Sequence, residues 1–260
     1  MGQAVGAEWV KLWSVRSTWW CLAGAMVVMV VSAVTLGGST ATNMLREGVE
    51  GARLTASEQV VSATSFAQFA LVAPAMLVIT SEYASGGIRS TLQATPIRGR
   101  VLAAKALAVV PVMFAAGVLS GGVSTAVVYT VLSVDVFGGF AVLPLHEVVR
   151  DLLSMGLFYA LISVMTIGVG TAVRSAAGTL TVAFMLLMGL PLMLLTTGSQ
   201  AALEVSLRMP LFAGLAFMGS TDNLTGGPIP YSAGEGLAWL LAWTVGALAA
   251  GHAVLRLRDA

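Results

Sequence analysis

An all-α integral membrane protein is the fold class this sequence predicts, and three observations predict it. Of 260 residues, 57% are hydrophobic and only 10% charged, whereas a soluble globular chain carries roughly 25% charged residues. Several apolar runs reach the roughly 20 residues that a helical crossing needs. The cationic residues gather in the connections on one side of those runs. The expected architecture is a single transmembrane domain over residues 1–260 with six spans. It adds an N-terminal amphipathic helix, a short helix between spans two and three, and a short re-entrant or interfacial helix before span six.

Residues 5–17 predict an interfacial helix: Val5, Trp9, Leu12 and Trp13 recur at spacings of three and four, with Glu8, Lys11 and Arg16 elsewhere on the wheel. Tryptophan on such a face suits the lipid headgroup boundary. The first span is expected over Trp19–Leu36. Its apolar core exceeds the roughly 7–15 residues of a cleavable signal, so a retained span is predicted. Residues 37–63 are polar and predict an external loop that holds a short helix. Span two follows over Thr64–Ser81, kinked at Pro74, with Glu82 at its cytoplasmic edge.

Between spans two and three lies the most basic connection, with Arg89, Arg98, Arg100 and Lys105. Gly86 and Gly87 permit a break, and Ile88–Ala94 is long enough for about two helical turns. Thr95 reads as an N-cap with Pro96 at the first position of the next helix. That helix is expected to start at the interface through Lys105 and then cross over Leu107–Leu132, with Gly117, Gly121 and Gly122 as small contact faces. Residues 134–147 form an external connection with Asp135, His146 and Glu147. Span four covers Val149–Val173, with Arg150 and Asp151 at its outer end, and Arg174 marks a tight inner turn. Span five is placed over Thr179–Thr197, with Pro191 inside it.

Residues 198–235 form the second long external region. Its apolar stretch 209–218 is too short to cross, which predicts a re-entrant or interfacial helix, and 226–230 carries a loop signal. The sixth span is expected over Gly236–Leu255. With both termini inside, nine Lys and Arg residues are cytoplasmic and four external, so the positive-inside rule supports that orientation.

Several function classes lose support at this point. A net charge of +1 gives no basic field for nucleic acid. Cys21 is the one cysteine, so no internal disulfide or cysteine metal cluster forms. Neither lysine, Lys11 nor Lys105, sits in a phosphate-binding loop, so ATP hydrolysis by the chain itself is not expected. His146 and His252 are isolated, without a zinc-hydrolase motif, and no serine lies in a nucleophile elbow. Asp135, His146, Glu147 and Asp151 are the one cluster a membrane enzyme would have to use. Charged residues border the expected spans rather than occupy their centres, which counts against an ion-coupled secondary transporter or channel. Gln68, Ser124, Thr125, Ser163 and Thr166 are candidates to line a route, although ordinary interhelical hydrogen bonds explain such residues equally well.

The pattern resembles the ABC-2 type membrane-spanning subunits of ATP-binding-cassette exporters, over essentially the whole chain. The resemblance is most specific in Glu82, Gly86–Gly87, Ile88, Arg89, Ser90, Thr91, Leu92, then Pro96, Arg98, Arg100 and Lys105. It implies that Gly87–Thr95 is a coupling helix docking into a separate ABC ATPase subunit, with Glu82, Arg98 and Arg100 fixing its pose or pairing with charges there. It further implies ATP and Mg on that partner only, a homodimer or a pair with a homologous permease, and a bacterial cell (plasma) membrane. The implied cargo is a small molecule, drug or lipid-like compound. One departure is the second external region, whose halves do not pair cleanly as two re-entrant helices. A partner-binding scaffold remains a further alternative.

Overall fold

Residues 1–48, 53–95, 97–137, 139–220 and 229–257 are described by the computed structural model, the Asp135 side chain excepted. The chain is helical nearly throughout. Helix α1 spans Gly2–Ser14, α2 Arg16–Arg46, α3 Ala56–Ser85, α4 Ile88–Ala94, α5 Arg98–Leu132 and α6 Leu145–Val173. Then come α7 (Ala176–Phe184), a π turn (Met185–Gly189), α8 (Leu190–Leu195), α9 (Gln200–Leu207), α10 (Pro210–Met218) and α11 (Ala233–Leu257). Strands β1 (Leu54–Thr55) and β2 (Ala141–Val142) pair in parallel, Leu54 with Ala141 and Thr55 with Val142.

Among the described residues, six segments are long and apolar enough to cross a membrane: α2, α3, α5, α6, α7 through α8, and α11. The protein is an all-α multi-pass membrane protein. Its burial is that of a bundle without a polar shell. In α3 and α6, 67% and 72% of the most apolar stretch is buried, whereas α2 and α11 bury only 22% and 17% of theirs. The outer helices turn Val27, Val28 and Val31, and Leu241 and Val245, to the outside. A helix apolar on its exposed face is soluble in lipid and not in water.

Small residues set the helix spacing. On α2, Ala25, Met29, Ala33, Gly37 and Ala41 recur every four residues and are all buried against α3 and α5. A Cβ on Gly168 of α6 would lie 2.5 Å from the Ala247 backbone, and one on Gly251 of α11 would lie 2.5 Å from the Gly168 carbonyl oxygen. Those two backbones therefore touch, which only glycine permits. In span five, Pro191 lacks the N–H that a regular turn needs and its ring crowds the carbonyl four residues back. The preceding turn widens into the π form, with the Leu190 N–H reaching the Met185 carbonyl.

Four expectations need correction. The first span does not end at Leu36, because α2 continues to Arg46. Its Thr35, Thr40 and Thr42 hydroxyls donate to carbonyls four residues back, at 2.7, 3.0 and 2.7 Å, so a stretch that reads as polar loop stays helical. Much of 37–63 is accordingly helix, since α3 already starts at Ala56. Thr95 is not an N-cap; it closes α4, and Ile97 precedes the first turn of α5, while Pro96 lies outside the described residues. Finally, α5 is one unbroken helix from Arg98, so Lys105 stands inside the spanning helix rather than in an interfacial start.

The region before α11 holds two helices, α9 and α10, bent 63° from one another across Arg208 and Met209. Nearly all of α10 is buried, against α6 and α11. The Ser206 hydroxyl donates to the Pro191 carbonyl at 2.8 Å, Tyr231 donates to the Leu207 carbonyl, and the Trp243 indole donates to the Arg208 carbonyl at 2.9 Å. These bonds fix the bend to α8 and α11. The loop signal at 226–230 falls largely outside the described residues.

Candidate functional site

Helix α1 and the last turn of α11 lie at the same end of the bundle, together with α4 and the basic residues around it. Gly86 stops α3 in a left-handed conformation, φ +73°, which a side chain would oppose. The chain then turns immediately into α4, a seven-residue helix. Its inner side is Ile88, only 3% exposed, with Leu92 half-buried and Arg89, Ser90 and Gln93 exposed. Gly87 stands at the N-cap. Arg100 is exposed beyond α4.

Behind α4, four charged side chains from three helices meet. Lys105 of α5 is wholly buried. Its ammonium donates to Glu8 Oε2 and Glu82 Oε1, both at 2.8 Å, and to the Val78 carbonyl at 3.1 Å. All three of its protons are thereby used. Lys11 donates to Glu8 Oε1 at 3.1 Å and to Glu82 Oε1 at 2.8 Å. Two ammoniums and two carboxylates alternate, and their charges sum to zero. Helix α4 joins the set through Thr91, whose hydroxyl lies 3.4 Å from Glu82 Oε2 and 3.2 Å from the Gly87 carbonyl. Burial alone would lower the Lys11 pKa, but the hydrogen bonds and charges of Glu82 and Glu8 outweigh it and hold the ammonium above the usual lysine value.

A buried ion-pair set contributes less to net stability than its short distances suggest, because every charge has lost water. What it fixes is geometry. Glu82 places the end of α3, Lys105 the first turns of α5, and Glu8 and Lys11 the position of α1. Displacing α4 without also displacing α3 breaks the Thr91 contact and strains the Gly86 turn.

Two further arginines close this end. Arg98 donates to the Leu255 carbonyl, and to the Arg256 carbonyl at 3.3 Å. Arg174, at a left-handed φ of 61°, donates to the Val254 carbonyl at 3.4 Å and lies 5.3 Å over the Tyr83 ring. The last carbonyls of a helix have no partner of their own, and guanidinium groups suit both their hydrogen bonding and their partial negative charge. Arg98, expected to fix the pose of α4 or pair with a partner's charges, also holds the last carbonyls of α11.

The five candidate route residues are all buried among α3, α5 and α6; Gln68, Ser124, Ser163 and Thr166 are fully enclosed and Thr125 is 3% exposed. Thr166 donates to the Ile162 carbonyl at 2.7 Å, and the Gln68 amide donates to the Ser65 carbonyl at 2.9 Å. Gln68 Oε1 and the Ser124, Thr125 and Ser163 hydroxyls have no hydrogen-bond partner among the described residues. At the opposite end of the bundle, buried Asp151 accepts from the Ser57 hydroxyl at 2.6 Å and from Arg150 at 3.0 Å. Glu147 lies 3.4 Å from the Thr55 hydroxyl, and exposed His146 lies 3.7 Å from Glu147. Among the described residues no three metal-ligating side chains converge.

Glu8, Lys11 and Lys105 belong to the site in a way the sequence does not announce. The helical wheel sets Glu8 apart from the Leu12 face, whereas the two, four residues apart on α1, are both buried. No known family model matches the chain, and no curated protein sequence matches it. Fold and site together define a multi-pass helical membrane protein with a short helix mounted on a charge-balanced cluster at the end that carries α1 and the last turn of α11.

Proposed function

We propose that this chain is the membrane-spanning subunit of an ATP-driven exporter of the ABC-2 type. It forms the route as a dimer, with itself or a homologous permease, and takes its energy from a separate ATPase subunit that carries ATP and Mg. The observation that carries this reading is the mounting of α4. Its exposed side offers Arg89, Ser90 and Gln93 to a partner, while Thr91 reaches Glu82 and thereby Lys105, Lys11 and Glu8. Force applied to α4 is passed to α1, α3 and α5 together. Closure of an ATPase dimer at the cytoplasmic face would press on two such helices and shift the balance between two packings of similar stability. The enclosed polar residues Gln68, Ser124, Thr125 and Ser163 would gain partners in the other packing, or from cargo of the small-molecule or lipid-like class.

One observation favours a second reading, ion-coupled transport. Lys105 is an ionisable group fully buried in a spanning helix, and such residues often mark ion pathways. A single experiment separates the two. The tagged full-length chain is purified in mild detergent from its own cells, beside the double variant Arg89→Glu/Arg100→Glu, and cellular efflux is followed with and without a protonophore. An ATPase with a phosphate-binding loop is expected with the parent and reduced with the variant, and efflux is expected to survive the protonophore. Absence of any ATPase, with efflux abolished by the protonophore, would establish the second reading instead.

A further inference from the structure

A cavity of about 360 Å³ lies beside the charged cluster, between the α1–α2 elbow, α3 and α4. It falls in the size range of ligand sites, roughly 300–1,000 Å³. Its walls change character along α3. Glu82 and Ser81 stand at one end and Val78, Leu77 and Pro74 follow inward. The eight helical steps from Glu82 to Pro74 span about 12 Å.

The polar end presents two complementary charges. Val15 precedes α2 and has no side chain to cap it, so the first turn of that 31-residue helix is uncapped. Ser17 and Thr18 of this turn line the cavity. Thr18 is only 8% exposed and brings a hydroxyl, a donor as well as an acceptor, to that wall. An uncapped helix start with a hydroxyl beside it is suited to a phosphate. Lys11 lines the same space, and two of its three protons are committed to Glu8 and Glu82. Beside it, and ion-paired to it through Oε1 at 2.8 Å, Glu82 receives at Oε2 the 3.4 Å approach of Thr91, which leaves room at that oxygen for a cation. The cluster is already neutral, so a net anion would meet two carboxylates, whereas a dipolar head meets both signs.

The location matches a lipid. Trp9, Trp19 and Trp20 are 40%, 56% and 78% exposed around the elbow; Trp9 meets Trp13 edge-to-face at 5.8 Å, and Trp13 meets Trp19 at a tilt at 4.9 Å. Tryptophans gather at the headgroup level of a bilayer. From these observations we infer that the cavity is a binding site for one phospholipid with an ammonium–phosphate head of the phosphatidylethanolamine class. Its phosphate sits at the α2 start and Lys11, its ammonium at Glu82, and an acyl chain runs along Leu77 toward Pro74. None of these contacts rests on an ATPase partner.

The test is native mass spectrometry of the delipidated full-length chain, titrated with phosphatidylethanolamine, phosphatidylglycerol and phosphatidylcholine of equal chain length. Phosphatidylethanolamine is expected to bind at least fivefold tighter than phosphatidylglycerol. Leu77→Trp, which fills the apolar end, is expected to weaken it about tenfold. Thr18→Val, which removes the hydroxyl without changing the volume, should weaken it several-fold with the protein's elution profile unchanged. The second variant decides the matter if the first fails to fold. O-phosphoethanolamine, which lacks acyl chains, is expected to compete only at far higher concentration. Equal binding of all three lipids, or parent-like binding by a folded Thr18→Val protein, would mean annular lipid only and would overturn the site. Tighter binding of phosphatidylglycerol would overturn the head-group assignment, and competition by O-phosphoethanolamine at lipid concentrations would overturn the lipid itself.

Discussion

The two ends of this bundle meet the same physical demand in different ways. At the end that carries α1 and the last turn of α11, Lys105 links residues 97 and 23 positions away in the chain, Glu8 and Glu82, and two arginines hold the last carbonyls of α11. At the opposite end, Asp151 is held by Ser57 and its neighbour Arg150, and β1 and β2 join two connections by main-chain pairing. The first arrangement is a network of full charges around a lightly attached helix. The second reaches as far along the chain, Ser57 and Asp151 being 94 positions apart, but rests on a neutral donor, one adjacent arginine and main-chain pairing. A charge network is costly to break one member at a time, and under the proposed function it stands at the end that would move. Main-chain pairing suits an end that stays.

The difference can be broken at its centre first. Lys105→Met leaves Glu8 and Glu82 buried without their shared cation and should cost roughly 3–5 kcal/mol, measured as a fall in thermal midpoint and folded yield in detergent. Adding Glu8→Gln to that variant should restore most of the loss, because Lys11 and Glu82 then remain as one balanced pair. Arg98→Ala should cost about 1.5–3 kcal/mol, seen locally as faster hydrogen exchange in the last turn of α11. At the opposite end Asp151→Asn keeps an acceptor for Ser57 and should cost only about 1 kcal/mol. A cost equal to that of Lys105→Met would erase the distinction between the ends.

The smallest effect concerns pH. The Lys11 pKa is raised in the folded chain, so its contribution is complete below the ordinary lysine value of about 10.4. It is lost only as pH rises through the higher folded value. Tryptophan fluorescence of the α1–α2 elbow should therefore report no Lys11-linked release of α1 between about pH 7 and 9, with release confined to stronger alkali. Release within that neutral window would contradict the assigned partners of Lys11.

How much of this was legible in the sequence depended on range. Span positions were legible because each apolar run carries its own signal, and α4 was placed by two glycines and its length. The end of α2 was missed because Thr40 and Thr42 resemble loop residues until their hydroxyls are seen bonding to their own helix. Around Pro96, local capping rules favoured Thr95, whereas α5 begins at Arg98. Lys105 reads from composition as one more cation of a basic connection. Its role is set by carboxylates on two other helices, and no spacing rule connects them. Arg98 likewise found its partners at the far end of the chain, and Pro96 and the Asp135 side chain lie outside what the structure describes.

The central claim is that α4 meets an ATPase, and site-specific crosslinking tests it most directly. Gln93, exposed on α4, is replaced by cysteine in a Cys21→Ser background, labelled with a short photoreactive probe and irradiated in the chain's own cells. The account predicts one dominant adduct with a protein that carries a phosphate-binding loop, weakened by Arg89→Glu/Arg100→Glu. Adducts with lipid alone, or with a protein lacking such a loop, from a correctly folded chain would contradict it.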